Sequence, residues 1–235
     1  MTDSRPVPSA GNAGPAVRAQ GLGKEIDGRR ILAGLDFELP RGSFTALLGA
    51  NGAGKSTLLK ILSTLVPATQ GELHLLNERC VPEAVHLRAR IGLIGHGAML
   101  YRDLSPLENL VFFGRLYGVR NPPQRAAELL EWLGLAHRGD DPVKTFSRGM
   151  VQRVAIARAL MHEPDLLLAD EPFAGLDAPS TSAVQQMLTD LHRQGRTIIL
   201  ANHDIAQTLE LVECVLVLRG GQLVVDAPAA DHNAR

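Results

Sequence analysis

The chain has 235 residues, 45% of them hydrophobic, which is enough to bury a substantial core. A formal net charge of -1 and the lack of a long basic run argue against a nucleic-acid face, so no nucleic acid is expected as a partner. Cys80 and Cys214 are too few for a disulfide framework and carry no metal-ligand spacing, which suits a reducing cytoplasm. No apolar run approaches the roughly 18 residues of a membrane span, so a membrane role would need a partner that supplies the span.

In chain order, residues 1–16 are rich in Pro, Gly, Ala and Ser and read as a flexible tail, with the fold starting near Val17. Strand-like runs follow as far as Glu72 to Leu76. Among them Phe44 to Leu48 reads as a buried strand that runs into G-A-N-G-A-G-K-S-T. This is a phosphate-binding loop pattern, and its nucleotide-binding residues are Gly49, Asn51, Gly52, Ala53, Gly54, Lys55, Ser56 and Thr57. The glycines allow backbone conformations that aim N–H groups at phosphate oxygens, and the helix starting near Lys55 adds its positive dipole end. Lys55 is expected to reach the β- and γ-phosphates and Ser56 to ligate magnesium, so ATP and Mg2+ are the expected cofactors.

Ile91 to Ile94 reads as a further short strand, and from His96 to about Thr145 the pattern turns helical. Ser105, Pro106 and Glu108 open one helix; Asn121, Pro122 and Gln124 open another that carries Leu129, Leu130 and Leu133 and stops at Gly134. Ser147 opens an apolar-periodic helix with Val151, Val154, Ala155 and Ala159. Leu166 to Ala169 is a strand buried on both faces, with Asp170 and Glu171 at its carboxyl end, where open α/β sheets bind ligands. Neighbouring strand residues point to opposite sides, so the two carboxylates should divide metal binding and water activation between them. Thr197 to Ala201 is another apolar strand, followed by Asn202, His203 and Asp204. Taken singly, these features have ordinary readings as an acidic turn, a helix cap and a structural histidine. Their order along one chain favours phosphoryl transfer.

From about Val17 to Val225 that order resembles the ATP-binding cassette family of transporter ATPases. The resemblance implies an α/β P-loop NTPase (RecA-like) core with an antiparallel β subdomain. It also implies an inserted helical subdomain at about 96–150, within an ATPase domain of residues 17–226, and a short tail at 227–235. Asp170 would bind the metal together with Ser56, Glu171 would be the general base, and His203 would contact the γ-phosphate. Ser147 and Gly149 would touch the ATP held by a second copy, and Asp177 would lie at the dimer seam. The implied partners are that second copy and an integral membrane permease, docked through a groove for which Met99 and Tyr101 are the chosen contacts. The implied location is cytoplasmic, peripheral on the inner face of the cell membrane. I-G-L-I-G-H followed by L-S-P-L-E-N-L resembles the haem-exporter type of cytochrome c maturation, while S-R-G-M-x-Q-R also resembles drug, antibiotic and polysaccharide exporters. A soluble cassette ATPase, such as an iron–sulfur assembly factor, is the alternative from another class.

Three positions depart from the family pattern. The usual L-S-G-G-Q is Phe146, Ser147, Arg148, Gly149 and Met150 here, which places a permanent cation in the motif. The adenine-stacking aromatic is replaced by Ile26; base stacking on an aromatic contributes about 1–3 kcal/mol, so base selectivity is expected to be loose. His96 stands where the family has a catalytic-site glutamine, and histidine titrates near neutral pH. The hydrolysis rate is therefore expected to vary between about pH 6 and 8 in the wild type and to be flat in His96→Gln. Identical profiles in the two proteins overturn this.

Overall fold

A computed structural model describes residues 14–81, 84–95 and 97–229; His96 lies outside the described residues. The elements are β1 (Val17–Ile26), β2 (Arg29–Leu39), β3 (Phe44–Leu48), α1 (Lys55–Leu62), β4 (Gln70–Leu75), β5 (Glu78–Arg79), β6 (Ile91–Ile94), α2 (Pro106–Leu116) and α3 (Pro122–Trp132). They continue with α4 (Arg148–Leu160), β7 (Leu166–Asp170), α5 (Ala178–Arg193), β8 (Thr197–Ala201), α6 (Ile205–Leu209), β9 (Cys214–Arg219) and β10 (Gln222–Pro228). Among the described residues they form an antiparallel sheet in the order β2-β1-β4-β5 and a second sheet in the order β10-β9-β3-β8-β7-β6. The second sheet is parallel from β9 to β6, with β10 added antiparallel at one edge.

Every residue of β3, β7 and β8 is buried, which is why these strands are predominantly apolar, with Thr45, Asp170 and Thr197 their polar members. Side chains alternate across a strand, and the alternation divides the core in two. Ala46, Leu48, Leu167, Ala169, Ile198 and Leu200 pack with α3, α4 and α5 on one face. Leu47, Leu166, Leu168, Ile199 and Ala201 pack with α1 and the antiparallel sheet on the other. A parallel sheet covered on both faces leaves its carboxyl edge as the open crevice.

The helical segment begins as its sequence indicates. Ser105 Oγ accepts from the Glu108 N–H at 3.1 Å while Glu108 Oε2 accepts from the Ser105 N–H at 2.8 Å, a reciprocal capping box with Pro106 behind it. Asn121 behaves differently. Its side chain makes no cap to the α3 backbone and instead donates to Gln124 Oε1 at 2.9 Å. The expected boundary at 150 falls inside α4 rather than between elements, because Arg148–Leu160 continues as one helix from the helical segment onto the sheet. The expected tail at 227 also begins too early: β10 pairs Ala227 and Pro228 with β9, and the Ala229 N–H donates to the Glu213 carbonyl at 2.7 Å. At the other end, Ala16 is already buried and pairs with Leu39 and Leu76.

β6 is an edge strand, and its outward carbonyls are taken by α4. Arg158 Nη2 donates to the Leu93 carbonyl at 2.6 Å, and His162, just past the helix, meets the Ile91 carbonyl through Nε2 at 3.0 Å. Residues four apart lie on one helix face and alternate carbonyls on one strand edge, so the two spacings match. Burial lowers the pKa of His162, which keeps the imidazole neutral at pH 7 and makes Nε2–H the donor. Tyr117 stacks on that ring at 3.9 Å, and Arg158 lies 5.4 Å from the centre of Phe113, which ties α2 to the same cluster.

Asn109 on α2 fixes the chain that leads into the helices. Its amide nitrogen donates to the Tyr101 and Ser105 carbonyls at 2.9 Å each, and its Oδ1 accepts from the Tyr101 N–H at 2.8 Å. Asn109 is fully buried, so truncation strands these backbone groups. Asn109→Ala is expected to lower unfolding free energy by about 1–3 kcal/mol. Chemical denaturation measures the loss, and amide exchange should show it concentrated at 101–105; an unchanged midpoint contradicts this role.

Candidate functional site

The carboxyl ends of β3, β8 and β7 lie side by side, and each delivers one part of the site. β3 runs into the loop of residues 49–54, where Gly49, Gly52 and Gly54 have φ of 151°, 79° and 108°. The last two values lie firmly where a Cβ is strained, so the loop's course requires glycine. The loop is also closely backed: a Cβ on Gly54 would stand 2.6 Å from Leu32 Cδ2. Ala53 is buried, whereas Asn51, Gly52 and Ser56 face outward and Thr57 is half-buried. Lys55 is only 6% exposed, and its Nζ donates to the carbonyls of Gly49 at 2.7 Å and Ala50 at 3.2 Å. The ammonium thus folds back across its own loop. α1 begins at Lys55 with no side chain capping its N–H groups, leaving its positive end directed at the loop.

At the end of β7, Asp170 is 9% exposed and its Oδ1 is buried without a hydrogen-bond partner in the protein. Glu171 has φ of +50°, a left-handed conformation that costs a non-glycine residue energy and is typical of functional turns. Its N–H still donates to the Ala201 carbonyl at 2.9 Å, so the backbone stays tied to β8 while the side chain swings off the strand. Glu171 Oε1 lies 3.3 Å from His203 Nδ1. The two acids differ in their surroundings: Asp170 is sealed and Glu171 is presented at the edge.

His203 is held by a residue that the sequence did not single out. Asn202, 3% exposed at the end of β8, accepts through Oδ1 from the N–H groups of His203 at 2.8 Å and Asp204 at 3.3 Å. Its Nδ2 donates to Thr208 Oγ1 at 3.0 Å, and that hydroxyl donates to the Asp204 carbonyl at 2.6 Å. This Asx turn starts α6 and aims the histidine. A buried-strand end followed by Asn-x-Asp was the available signal.

Ile26 is exposed at the tip of the β1–β2 hairpin, paired with Arg29. The following strand reaches the loop, since Ile31 O and Leu32 are the atoms closest to a Cβ on Gly54. Ser147, Gly149 and Asp177 form a second group on the N-termini of α4 and α5. Ser147 Oγ accepts from the Met150 N–H at 3.3 Å, and Asp177 Oδ1 accepts from the Ser180 N–H at 3.1 Å. The Ser180 hydroxyl and N–H lower the Asp177 pKa, so this cap is fully present at and above the ordinary carboxylate range and is lost only as pH falls below it, through the depressed pKa. A Cβ on Gly149 would overlap Ser180 Oγ, so the two helix starts touch.

Residues 32–174, more than half of the chain, match the ABC transporter family. The chain belongs to the ABC transporter ATPase family. The linearmycin resistance ATP-binding protein LnrL of Bacillus subtilis is 34% identical over 93% of this chain and 71% of its own length. The phosphonates import ATP-binding protein PhnC of Trichormus variabilis is 40% identical over 88% and 89%. Among solved structures, cbiO1 from Clostridium perfringens, part of the ABC transporter complex cbiONQ, superposes with TM-score 0.85 at 28% identity over 94% of this chain and 92% of its own. The ATP-binding cassette MJ0796, dimeric in a post-hydrolysis state with ADP and Pi, gives 0.82 at 26% identity over 91% and 98%. The fold is that of the P-loop cassettes, and the protein is an ATPase that converts ATP and water to ADP and phosphate and powers membrane transport. No helix among the described residues is long and apolar enough to cross a membrane.

If Asn202 aims His203, Asn202→Ala should lower kcat of this ATPase by roughly 10- to 100-fold with KM changed less than threefold. Steady-state kinetics decide, and a pure KM effect would refute the positioning role.

Proposed function

We propose that two copies of this ATPase close head to tail over two ATP molecules and thereby drive an exporter permease. The observation that carries the reading is the Glu171–His203 pair at 3.3 Å, set on the strand ends beside the loop of β3. Backbone N–H groups of Gly49 to Thr57 hold the phosphates, and Lys55 exchanges its carbonyl partners for phosphate oxygens. Glu171 accepts the proton of the attacking water, and His203 neutralises charge on the γ-phosphate. Ile26 flanks the base. The second copy contributes Ser147 and Gly149 to each site, with Asp177 at the seam.

The residues present fit Mg2+. Asp170, whose Oδ1 lacks a protein partner, and the outward Ser56 hydroxyl would hold it, and when bound it supplies charge to the β- and γ-phosphate oxygens. His96, which lies outside the described residues, belongs to the same reading as a catalytic-site residue that also senses the membrane partner.

The permease docks in a cavity of about 730 Å3 lined by Met99, Leu100, Tyr101, Phe113 and Phe146. Met99 is 48% and Tyr101 53% exposed, and Tyr101 meets Phe112 edge to face at 5.3 Å, a ready apolar contact for an inserted segment. The ATPase then sits at the cytoplasmic face of the membrane. An antibiotic-type cargo is supported by relatives named for linearmycin resistance and for daunorubicin/doxorubicin resistance in Streptomyces peucetius. Haem is the second reading, resting on I-G-L-I-G-H and L-S-P-L-E-N-L. Deleting the gene should sensitise cells to linearmycin or to daunorubicin under the first reading and abolish c-type cytochromes under the second.

For the chemistry, Glu171→Gln is expected to reduce turnover by about 100-fold or more while accumulating an ATP-bound dimer, and Lys55→Ala to lose ATP affinity. Unchanged hydrolysis in both variants removes the mechanism. Recovery with a polytopic membrane protein supports the permease; recovery only with soluble scaffold proteins overturns it.

A further inference from the structure

Arg148 occupies the first position of α4, where a cation opposes the helix dipole, and no acidic residue shares that turn. Among the described residues it has no ion-pair partner. Its guanidinium lies instead on Gly175, in the turn between β7 and α5. A Cβ on that glycine would overlap Arg148 Nη1 and Cζ and stand 2.9 Å from Nη2. Gly175 has φ of +67° and offers the flat, side-chain-free surface that a planar guanidinium can cover. One residue on, a Cβ on Gly149 would stand 2.8 Å from Ser180 Cβ, and the Ser180 N–H is bound by Asp177. The start of α4 is thus seated on residues 175–180 at two successive positions, and the first seat exists only because residue 148 is arginine.

We infer that Arg148 is a positioning residue that locks the turn at 173–177 to the start of α4, so that Ser147, Gly149 and Asp177 meet the second copy as one rigid lip. The inference rests on the shared-site reading above. Glycine at this position, as in L-S-G-G-Q, has no side chain with which to span the gap. A lip assembled before closure loses less conformational freedom on association.

The test compares full-length Glu171→Gln with Glu171→Gln/Arg148→Ala and Glu171→Gln/Arg148→Lys, titrated with Mg-ATP and read by light scattering on size exclusion. Arg148→Ala is expected to raise the ATP concentration for half-maximal dimer roughly tenfold, and Arg148→Lys by less, since lysine keeps stem and charge but lacks the plane. Binding of a fluorescent ATP analogue to the monomer and the Tm should stay unchanged. Adding Gly175→Ala should harm dimerisation less with Arg148→Ala than with Arg148 present, because the added methyl no longer meets a guanidinium. Equal half-maximal concentrations in all three proteins, or a matching loss of monomer ATP binding, overturn the inference while leaving the shared site standing. Failure of Glu171→Gln itself to dimerise removes both.

Discussion

The structure depends on burying β3, β8 and β7 on both faces. Once every side chain of these strands is enclosed, their only polar outlet is at the strand ends, and a parallel arrangement brings three carboxyl ends together. The glycine loop, the carboxylates and the histidine therefore meet through strand order, and bonds such as Glu171 N–H to the Ala201 carbonyl hold the strand ends together. Alternation within each strand does further work. It divides the core into a layer that braces the loop through α1 and the antiparallel sheet and a layer that carries the helices.

α4 is the element that joins these layers to the rest of the molecule. Its first turn holds Ser147, Arg148 and Gly149 against the start of α5, and its last turn clamps the outer carbonyls of β6 through Arg158, helped by His162. The chain beyond β6 carries the exposed side chains of Met99 and Tyr101. A single helix thus has one end against the turn at Gly175 and the start of α5 and the other on the edge strand β6. These two part-buried hydrogen bonds to an edge strand also occupy backbone acceptors that would otherwise invite pairing with another chain.

Much of this was legible in the sequence because it depends on local rules. Phe44 to Thr57, Leu166 to Glu171 and Thr197 to Ala201 carry continuous apolar runs that end in polar residues of fixed type, and the Ser105–Glu108 box is complete within four residues. What escaped depends on tertiary pairing. Cys214–Arg219 and Gln222–Pro228 form a hairpin over Gly220 and Gly221, yet half of β10 is exposed and its signal is correspondingly weak. Asn202 and Asn109 are buried asparagines whose importance lies in which backbone groups they reach. Element ends are hidden for a related reason: α4 and β10 are single elements that continue across the expected limits at 150 and 226.

The conformation of Glu171 shows how the site converts fold into chemistry. A residue continuing β7 in extended geometry would point to one face of the sheet, into one of the two cores, where a carboxylate is too costly to keep charged. Reversing φ at that single position lifts the side chain to the edge, 3.3 Å from His203, while its N–H stays bonded to Ala201. The strain is a local cost of order 1–3 kcal/mol, borne by strands whose burial leaves the backbone no other course. Asp170, one residue earlier, cannot follow; it remains in register with Ala201, and its Oδ1 keeps its full capacity to accept. Two adjacent acids thus acquire different surroundings from one dihedral angle.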